Sequence, residues 1–214
     1  MTPSAVLFDC DGVIVDSEGP TFLMLQADLA AHGLPVTLHQ LETSYIGGTV
    51  ETLAAKASKD GATLPDGWVA DFYARMYAML KLGVPLIPGI MAVLDALDAA
   101  GIPYAVGSNG SAEKMQITLG QHGLIPRFRG HLYSGQAIGR PKPAPDLYLL
   151  AARALGVAPG DAVVIEDSPA GARAAQAAGI RCLGYAPHGQ NDALAAAGAV
   201  LFHNMADLPG LLGL

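Results

Sequence analysis

The chain has 214 residues, of which 51% are hydrophobic and 14% are charged, and its formal net charge is -7. This composition predicts a globular protein with a sizeable core and disfavours nucleic acid or an anionic membrane as a partner. The chain has two widely separated cysteines, and its first apolar run is too short for a signal peptide. It has no apolar stretch long enough to span a membrane. We therefore expect a soluble, cytoplasmic protein.

The first predicted strand, residues 5–8, leads directly into Asp9, Cys10, Asp11 and Gly12. Residues two apart point to the same side of an extended chain, so Asp9 and Asp11 are expected to project into one cleft. Two carboxylates this close disfavour double ionisation unless a cation lies between them or one is protonated. The pair therefore indicates a site of chemical reaction. The simpler alternative is a strand end with two solvent-exposed carboxylates.

Four amphipathic helices are predicted next, and no strand pattern interrupts them. We expect them at about 20–33, Leu38–Tyr45, Thr49–Ser58 and Trp68–Leu82. Their apolar stripes predict a small helical bundle, so residues 16–85 are interpreted as a helical unit inserted into the main fold.

From the turn at 86–89 onward, helices alternate with short apolar strands. This pattern is typical of a parallel sheet covered by helices on both faces, so residues 1–15 and 86–214 are predicted to form an α/β, Rossmann-like core. The predicted strands are Tyr104–Gly107, Leu132–Tyr133, Ala162–Ile165, Cys182–Tyr185 and Val200–Phe202. The predicted helices are Met91–Ala100, Ala112–His122, Pro145–Leu155, Ala170–Ala178, Asp192–Ala197 and one at the C-terminus.

Polar residues follow three of the predicted strands at the points where they end. Ligands of parallel sheets bind beyond the carboxyl ends of the strands, so these residues are expected to meet at one site. They comprise four carboxylates, a hydroxyl and an amide: Asp9, Asp11, Glu166, Asp167, Ser108 and Asn109.

Four ordered motifs resemble those of the haloacid dehalogenase superfamily, and the resemblance covers essentially the whole chain. Within it, the chain is similar to the phosphatase and β-phosphoglucomutase-like branch, which has an α-helical cap. The resemblance implies Mg²⁺-dependent hydrolysis of a small phosphorylated metabolite through an aspartyl-phosphate. The protein is expected to be a monomer or a homodimer, and the sequence does not distinguish the two. The motifs are Asp9-x-Asp11-Gly12-Val13, Ser108-Asn109, Gly139-Arg140-Pro141-Lys142-Pro143 and Glu166-Asp167.

The resemblance also implies a role for each catalytic residue. Asp9 would be the nucleophile. Asp11 would protonate the leaving alkoxide and then take a proton from water, which suits a carboxylate whose pKa is raised by its neighbours. Ser108 and Asn109 would bind the phosphate. Lys142, which has a proline on each side, would bind both the phosphate and the nucleophile.

The candidate ligands are hard oxygen donors and include no His or Cys, which favours Mg²⁺ over zinc. By resemblance, the ligands would be the Asp9 side chain, the Asp11 backbone carbonyl and Asp167. Glu166 would be either a fourth ligand or a partner of the ligands, and both possibilities stay open.

The turn between the second and third predicted helices contains Gly48 and Thr49. The branch places a substrate-specificity loop there, although a plain interhelical turn is an equal alternative. The helical unit has three basic residues that could bind a second anionic group on the substrate or could simply be surface residues: Arg75, Lys56 and His39.

The main alternative function is a phosphosugar mutase. β-Phosphoglucomutases carry a histidine ten residues after the second motif aspartate, and this chain has Thr21 there. A dehalogenase or a phosphonoacetaldehyde hydrolase is disfavoured by Asp11 and Asp167, and a receiver-type phospho-acceptor domain would be much shorter. A non-catalytic phosphometabolite-binding protein stays possible, although every catalytic position is filled.

Overall fold

The computed structural model describes residues 2–45 and 49–214. Within these ranges, parallel strands form a six-stranded sheet in the order β3-β2-β1-β4-β5-β6, which confirms the predicted parallel α/β fold. The strands are β1 (Ala5–Phe8), β2 (Tyr104–Ser108), β3 (Leu132–Ser134), β4 (Ala162–Glu166), β5 (Arg181–Tyr185) and β6 (Val200–Phe202).

The helices lie close to the predicted positions, with ends that differ by one or two residues. Helices α1 (Glu18–Ala31), α2 (Leu38–Ser44), α3 (Val50–Lys59) and α4 (Trp68–Leu80) follow β1. The others are α5 (Ile90–Ala100), α6 (Ala112–Gly120), α7 (Asp146–Ala154), α8 (Pro169–Ala177), α9 (Asp192–Ala196) and α10 (Leu208–Leu212). The sequence pattern does not reveal the short 3₁₀ helices Ile125–Phe128, Pro159–Asp161 and Met205–Asp207.

The first strand lies at the centre of the sheet, between β2 and β4. Its side chains alternate between two apolar clusters: Val6 and Phe8 belong to one, and Leu7 packs with Tyr148 in the other. Both faces of the sheet are therefore buried, as a continuously apolar strand predicts. Asp9 is the first residue beyond the end of this central strand.

The inserted helices pack through their own aromatic residues and contact the core near the site. The rings of Trp68 and Phe72 stack with centroids 5.0 Å apart. The Tyr77 hydroxyl of α4 lies 2.5 Å from Ser111 Oγ, at the start of α6. The boundaries that make residues 16–85 a separate unit stay a prediction. In the described part of the chain, no helix combines the length and apolar character needed to cross a membrane.

Candidate active site

The carboxyl ends of β1, β2 and β4 face a cavity whose other wall belongs to α1, α3 and α4. Six of the predicted site residues line it together with Thr49, the residue that caps α3: Asp9, Asp11, Ser108, Asn109, Lys142 and Asp167. Gly48 lies outside the described residues. A second, more open groove on the outer side of α7 contains none of the predicted site residues.

Lys142 forms a buried ion pair with two carboxylates. Its Nζ donates to Asp9 Oδ1 and to Glu166 Oε1, both at 2.6 Å, and the side chain is only 3% exposed. Burial alone would lower the pKa of the ammonium, but Asp9 and Glu166 raise it overall. Lys142 is therefore a fixed positive charge beside Asp9.

Glu166 uses both carboxylate oxygens within the protein. Its Oε1 accepts from Lys142 at 2.6 Å and from the Tyr148 hydroxyl at 2.8 Å. Its Oε2 accepts from the amides of Asp167 and Ser168, both at 3.0 Å, and from Ser168 Oγ at 2.9 Å. Burial tends to raise the pKa of Glu166, but Lys142 and these hydrogen bonds lower it overall, so the group is ionised.

The backbone of α8 leaves space for this carboxylate. A Cβ at Gly171, in the first turn of the helix, would overlap the Glu166 side chain. Glu166 is thus enclosed and has its hydrogen-bonding capacity filled. This arrangement fits a group that orients Lys142 and leaves no lone pair for a metal ion.

Asn109 holds the backbone of Lys142. Its Oδ1 accepts from the Lys142 amide at 2.7 Å, and its Nδ2 donates to the Lys142 carbonyl at 3.1 Å. The side chain thus orients the motif that carries the lysine. Its predicted contact with the phosphate stays a prediction.

Asp11 has a cationic partner that the sequence analysis missed. Lys114 Nζ lies 2.7 Å from Asp11 Oδ1, and the Ser17 hydroxyl donates to the same oxygen. Ser108 Oγ donates to Asp11 Oδ2 at 3.4 Å. Burial tends to raise the pKa of Asp11, but Lys114 lowers it overall, so the expectation of a pKa raised by its neighbours was wrong.

The sequence contained weak signals for both of these partners. Lys114 follows Ser111, the N-cap of α6, by one turn, and an N-terminal helical turn next to a strand end faces the ligand edge of a parallel sheet. Ser17 immediately precedes α1, where a serine commonly caps a helix, but its hydroxyl forms no capping bond because it donates to Asp11.

Asp167 belongs to a cluster of carboxylates at the predicted metal site. Oxygens of Asp9, Glu166 and Asp167 all lie within 4.8 Å of one another. Burial raises the pKa of Asp167 well above its usual range, and Glu18, Glu166 and Asp9 raise it further. In residues 2–45 and 49–214, its carboxylate has no ion pair or hydrogen bond, so a cation would relieve this repulsion.

Geometry narrows the candidate ligands to two side chains. A Cβ at Gly12, whose φ is +75°, would overlap the Asp167 carboxylate, so this glycine lets the carboxylate approach β1. Because Glu166 is already saturated, the Asp9 and Asp167 side chains are the donors that fit a hard cation such as Mg²⁺. Coordination by the Asp11 carbonyl stays a prediction.

Comparison with known proteins gives consistent matches. A family model described as a haloacid dehalogenase-like hydrolase matches residues 3–179. The chain is 32% identical over 194 residues to a phosphoglycolate phosphatase of Xylella fastidiosa, covering 88% of this chain and 84% of that protein. It is 32% identical over 177 residues to hexitol phosphatase A of Escherichia coli, covering 81% and 78%.

Two further matches concern a longer protein and a solved structure. Protein SUPPRESSOR OF QUENCHING 1, chloroplastic, of Arabidopsis thaliana is 32% identical over 187 residues, but the chain spans only 17% of its length. The structure of a hydrolase of the same family from Deinococcus radiodurans, with bound phosphate and sodium, gives a TM-score of 0.79 at 35% identity. That match covers 99% of this chain and 96% of the other.

Proposed function

The chain belongs to the haloacid dehalogenase-like hydrolase family and is a phosphoric monoester hydrolase, and we propose that it hydrolyses a sugar phosphate or a related phospho-acid with Mg²⁺. The reaction passes through an aspartyl-phosphate on Asp9. The Lys142 ammonium, held between Asp9 and Glu166 in a cavity shared with Asp11 and Asp167, is the observation that carries this proposal.

In the first half-reaction, Asp9 attacks the phosphorus atom and the bond from phosphorus to the ester oxygen breaks. Lys142 occupies Asp9 Oδ1, which leaves Oδ2 as the attacking atom. The departing alkoxide takes its proton from Asp11. Because Lys114 holds Asp11 ionised in the free enzyme, Asp11 must acquire this proton when the phosphate brings further negative charge into the cavity.

In the second half-reaction, ionised Asp11 takes a proton from water, and the oxygen of that water attacks the phosphorus. The bond from phosphorus to Asp9 breaks, which releases inorganic phosphate and restores the carboxylate. Lys142 stabilises negative charge on the phosphoryl group in both steps. A Mg²⁺ ion held by Asp9 and Asp167 would supply further charge neutralisation.

The substitution Asp11→Asn is expected to lower kcat/KM by an amount that depends on the leaving group of the substrate. An alkoxide needs a proton and nitrophenolate does not, so kcat/KM should fall about 10²–10⁴-fold for an alkyl phosphate and less than about tenfold for p-nitrophenyl phosphate. Because water activation also needs Asp11, p-nitrophenyl phosphate should give a burst of nitrophenolate followed by slow turnover. Steady-state and rapid-mixing measurements test this, and equal losses of kcat/KM would remove Asp11 as the acid.

The substitution Asp167→Asn is expected to make the thermal stability of the protein independent of Mg²⁺. Removing one of the crowded carboxylates should raise the Tm in EDTA by about 2–4 °C, equivalent to about 1 kcal/mol. Saturating Mg²⁺ should then raise the Tm of the wild type by at least about 3 °C and that of Asp167→Asn by less than about 1 °C. Calorimetry with the exposed-site control Asp66→Asn checks this, and equal Mg²⁺ responses would exclude Asp167 as a ligand.

The mutase alternative has no supporting contact at position 21. The Thr21 hydroxyl donates to the Ser17 carbonyl at 2.7 Å, and the cavity residues in the described ranges include no histidine. An aliphatic hydroxyl is too weak an acid and too weak a base to open a sugar ring at neutral pH, in contrast to a histidine, whose ordinary pKa is about 6.5.

The experiment that tests the proposed function measures phosphate release from a panel of phosphorylated metabolites, with Mg²⁺ and with EDTA. The panel contains hexose and pentose phosphates, phosphoglycolate, 6-phosphogluconate and β-glucose 1-phosphate. We expect Mg²⁺-dependent release. Conversion of β-glucose 1-phosphate to its 6-phosphate without release would instead establish a mutase.

A further inference from the structure

Among the residues that the structure describes, the part of the cavity opposite the catalytic motifs has no positively charged side chain. Apart from Glu18, its lining residues on α1, α3 and α4 are apolar or bear hydroxyl groups. The residues of this surface include Phe22, Thr49, Leu53, Phe72, Tyr73 and Met76.

The three basic residues that were candidates for binding a second anion lie outside the cavity. Arg75 pairs with Asp28 and Asp71, each at 2.7 Å. Lys56 pairs with Asp60 at 2.7 Å. Neither these two residues nor the exposed His39 lines the cavity.

Within the described ranges, two lysines line the cavity, and both already have anionic partners. Lys142 is bound by Asp9 and Glu166, and Lys114 is bound by Asp11. The carboxylates that line the cavity, Asp9, Asp11, Glu18 and Asp167, outnumber these two lysines. A second anion on the substrate would therefore enter a cavity whose side-chain charges are already mainly negative.

Glu18 adds a fourth carboxylate to the cavity lining. Burial, and to a lesser extent Asp11, raises the pKa of Glu18 to about 7, so the group is negatively charged above that pH. It is in the first turn of α1, half-buried, and faces the same cavity as Asp11 and Lys114. In the described part of the chain, its carboxylate forms no ion pair or hydrogen bond. Its oxygens are thus available to accept hydrogen bonds from hydroxyl groups, and they repel a carboxylate or a second phosphate.

From this charge distribution we infer that the substrate is the monophosphate of an uncharged polyol or aldose, and that Glu18 selects against leaving groups that carry a second anion. The inference rests on the proposed function, since it names the leaving group of that reaction. It also narrows the proposal by excluding phospho-acids and bisphosphates as preferred substrates.

A matched pair of substrates tests the inference. Glucitol 6-phosphate and 6-phosphogluconate have the same carbon chain and differ at C1, which is a hydroxymethyl group in one and a carboxylate in the other. At pH 8, where Glu18 is ionised, we expect the wild-type kcat/KM to be at least about tenfold higher for glucitol 6-phosphate, equivalent to about 1.4 kcal/mol. Glycerol 3-phosphate and 3-phosphoglycerate form a second, shorter pair.

Glu18→Gln removes the charge and keeps the shape of the side chain. We expect it to lower the preference for the uncharged member of each pair at least about fivefold, mainly by raising kcat/KM for the anionic member. Glu113→Gln is the control, because Glu113 is exposed on α6 and does not line the cavity. The preference of this variant for the uncharged substrates should equal that of the wild type.

Hydrolysis of p-nitrophenyl phosphate separates failure of the inference from failure of the proposed function. If this substrate is cleaved with Mg²⁺ but the wild type has no preference, prefers the anionic members, or cleaves neither polyol phosphate, the inference is overturned and the phosphatase proposal stands. A preference that Glu18→Gln leaves unchanged also overturns the role of Glu18. No Mg²⁺-dependent cleavage of any substrate would overturn both.

Discussion

Asp9→Asn is expected to lower kcat by at least about 10⁴-fold, because an amide cannot form the phosphoryl-enzyme. The substitution keeps the shape of the side chain and an oxygen that can accept from Lys142, which lies 2.6 Å from Oδ1. The fold should therefore persist. The measurement is phosphate release with Mg²⁺, accompanied by acid quenching to detect labelled phosphate bound to the protein.

The matched control for this prediction is Asp16→Asn. Asp16 lies on the same connector after β1 but is exposed and does not line the cavity. It should keep wild-type turnover and labelling. If purified, folded Asp9→Asn were active within tenfold of the wild type, another residue would be the nucleophile.

Lys142→Met is expected to lower kcat/KM by about 10³-fold and to destabilise the fold. The variant keeps the length of the side chain but removes the positive charge that the phosphoryl group needs. It also leaves Asp9 and Glu166 buried without their cation, and breaking a buried pair in this way costs about 3–5 kcal/mol.

The loss of stability should depend on pH with a definite sign. In the wild type the pKa of Glu166 is lowered, so its contribution is present above its unfolded pKa and is lost as the pH falls. Lys142→Met removes this contribution. The Tm difference from the wild type should therefore be large at pH 8 and smaller near pH 4.5.

A double variant separates stability from catalysis. Glu166→Gln in the Lys142→Met background removes one of the two unpaired carboxylates, so part of the lost Tm should return while kcat/KM stays low. Recovery of activity together with Tm would mean that Lys142 acts only through folding. Thermal scans and turnover measurements on the same preparations give both readouts.

The sheet was predictable because its strands are short, apolar and flanked by glycine, proline and polar residues. Carboxylates directly after β1 and β4 also identified the edge where the site lies, since parallel strands end together. The strands β2, β3 and β4 each extend one residue beyond the predicted end. Ser108, for example, belongs to β2 because it pairs with Ser134 of β3, and this is a long-range contact that local patterns do not contain.

The partners of the catalytic groups were much harder to predict. Lys114 reaches Asp11 only because α6 packs with that face toward β1, and helix rotation is set by tertiary packing. The saturation of Glu166 depends on a tight turn that directs the amides of Asp167 and Ser168 at its side chain. The error in the pKa direction for Asp11 followed from the omission of Lys114.

The position of β1 in the sheet has a consequence for synthesis on the ribosome. Both neighbours of this strand come from distant parts of the chain, since Leu7 pairs with Ala105 on one side and with Val164 on the other. At about 5–20 residues per second, the apolar segment stays without its second partner for roughly 10–30 s. Asp9 meets Lys142 only after 133 further residues. The nascent chain is thus expected to expose an aggregation-prone N-terminal strand for most of its elongation, and its active site assembles late.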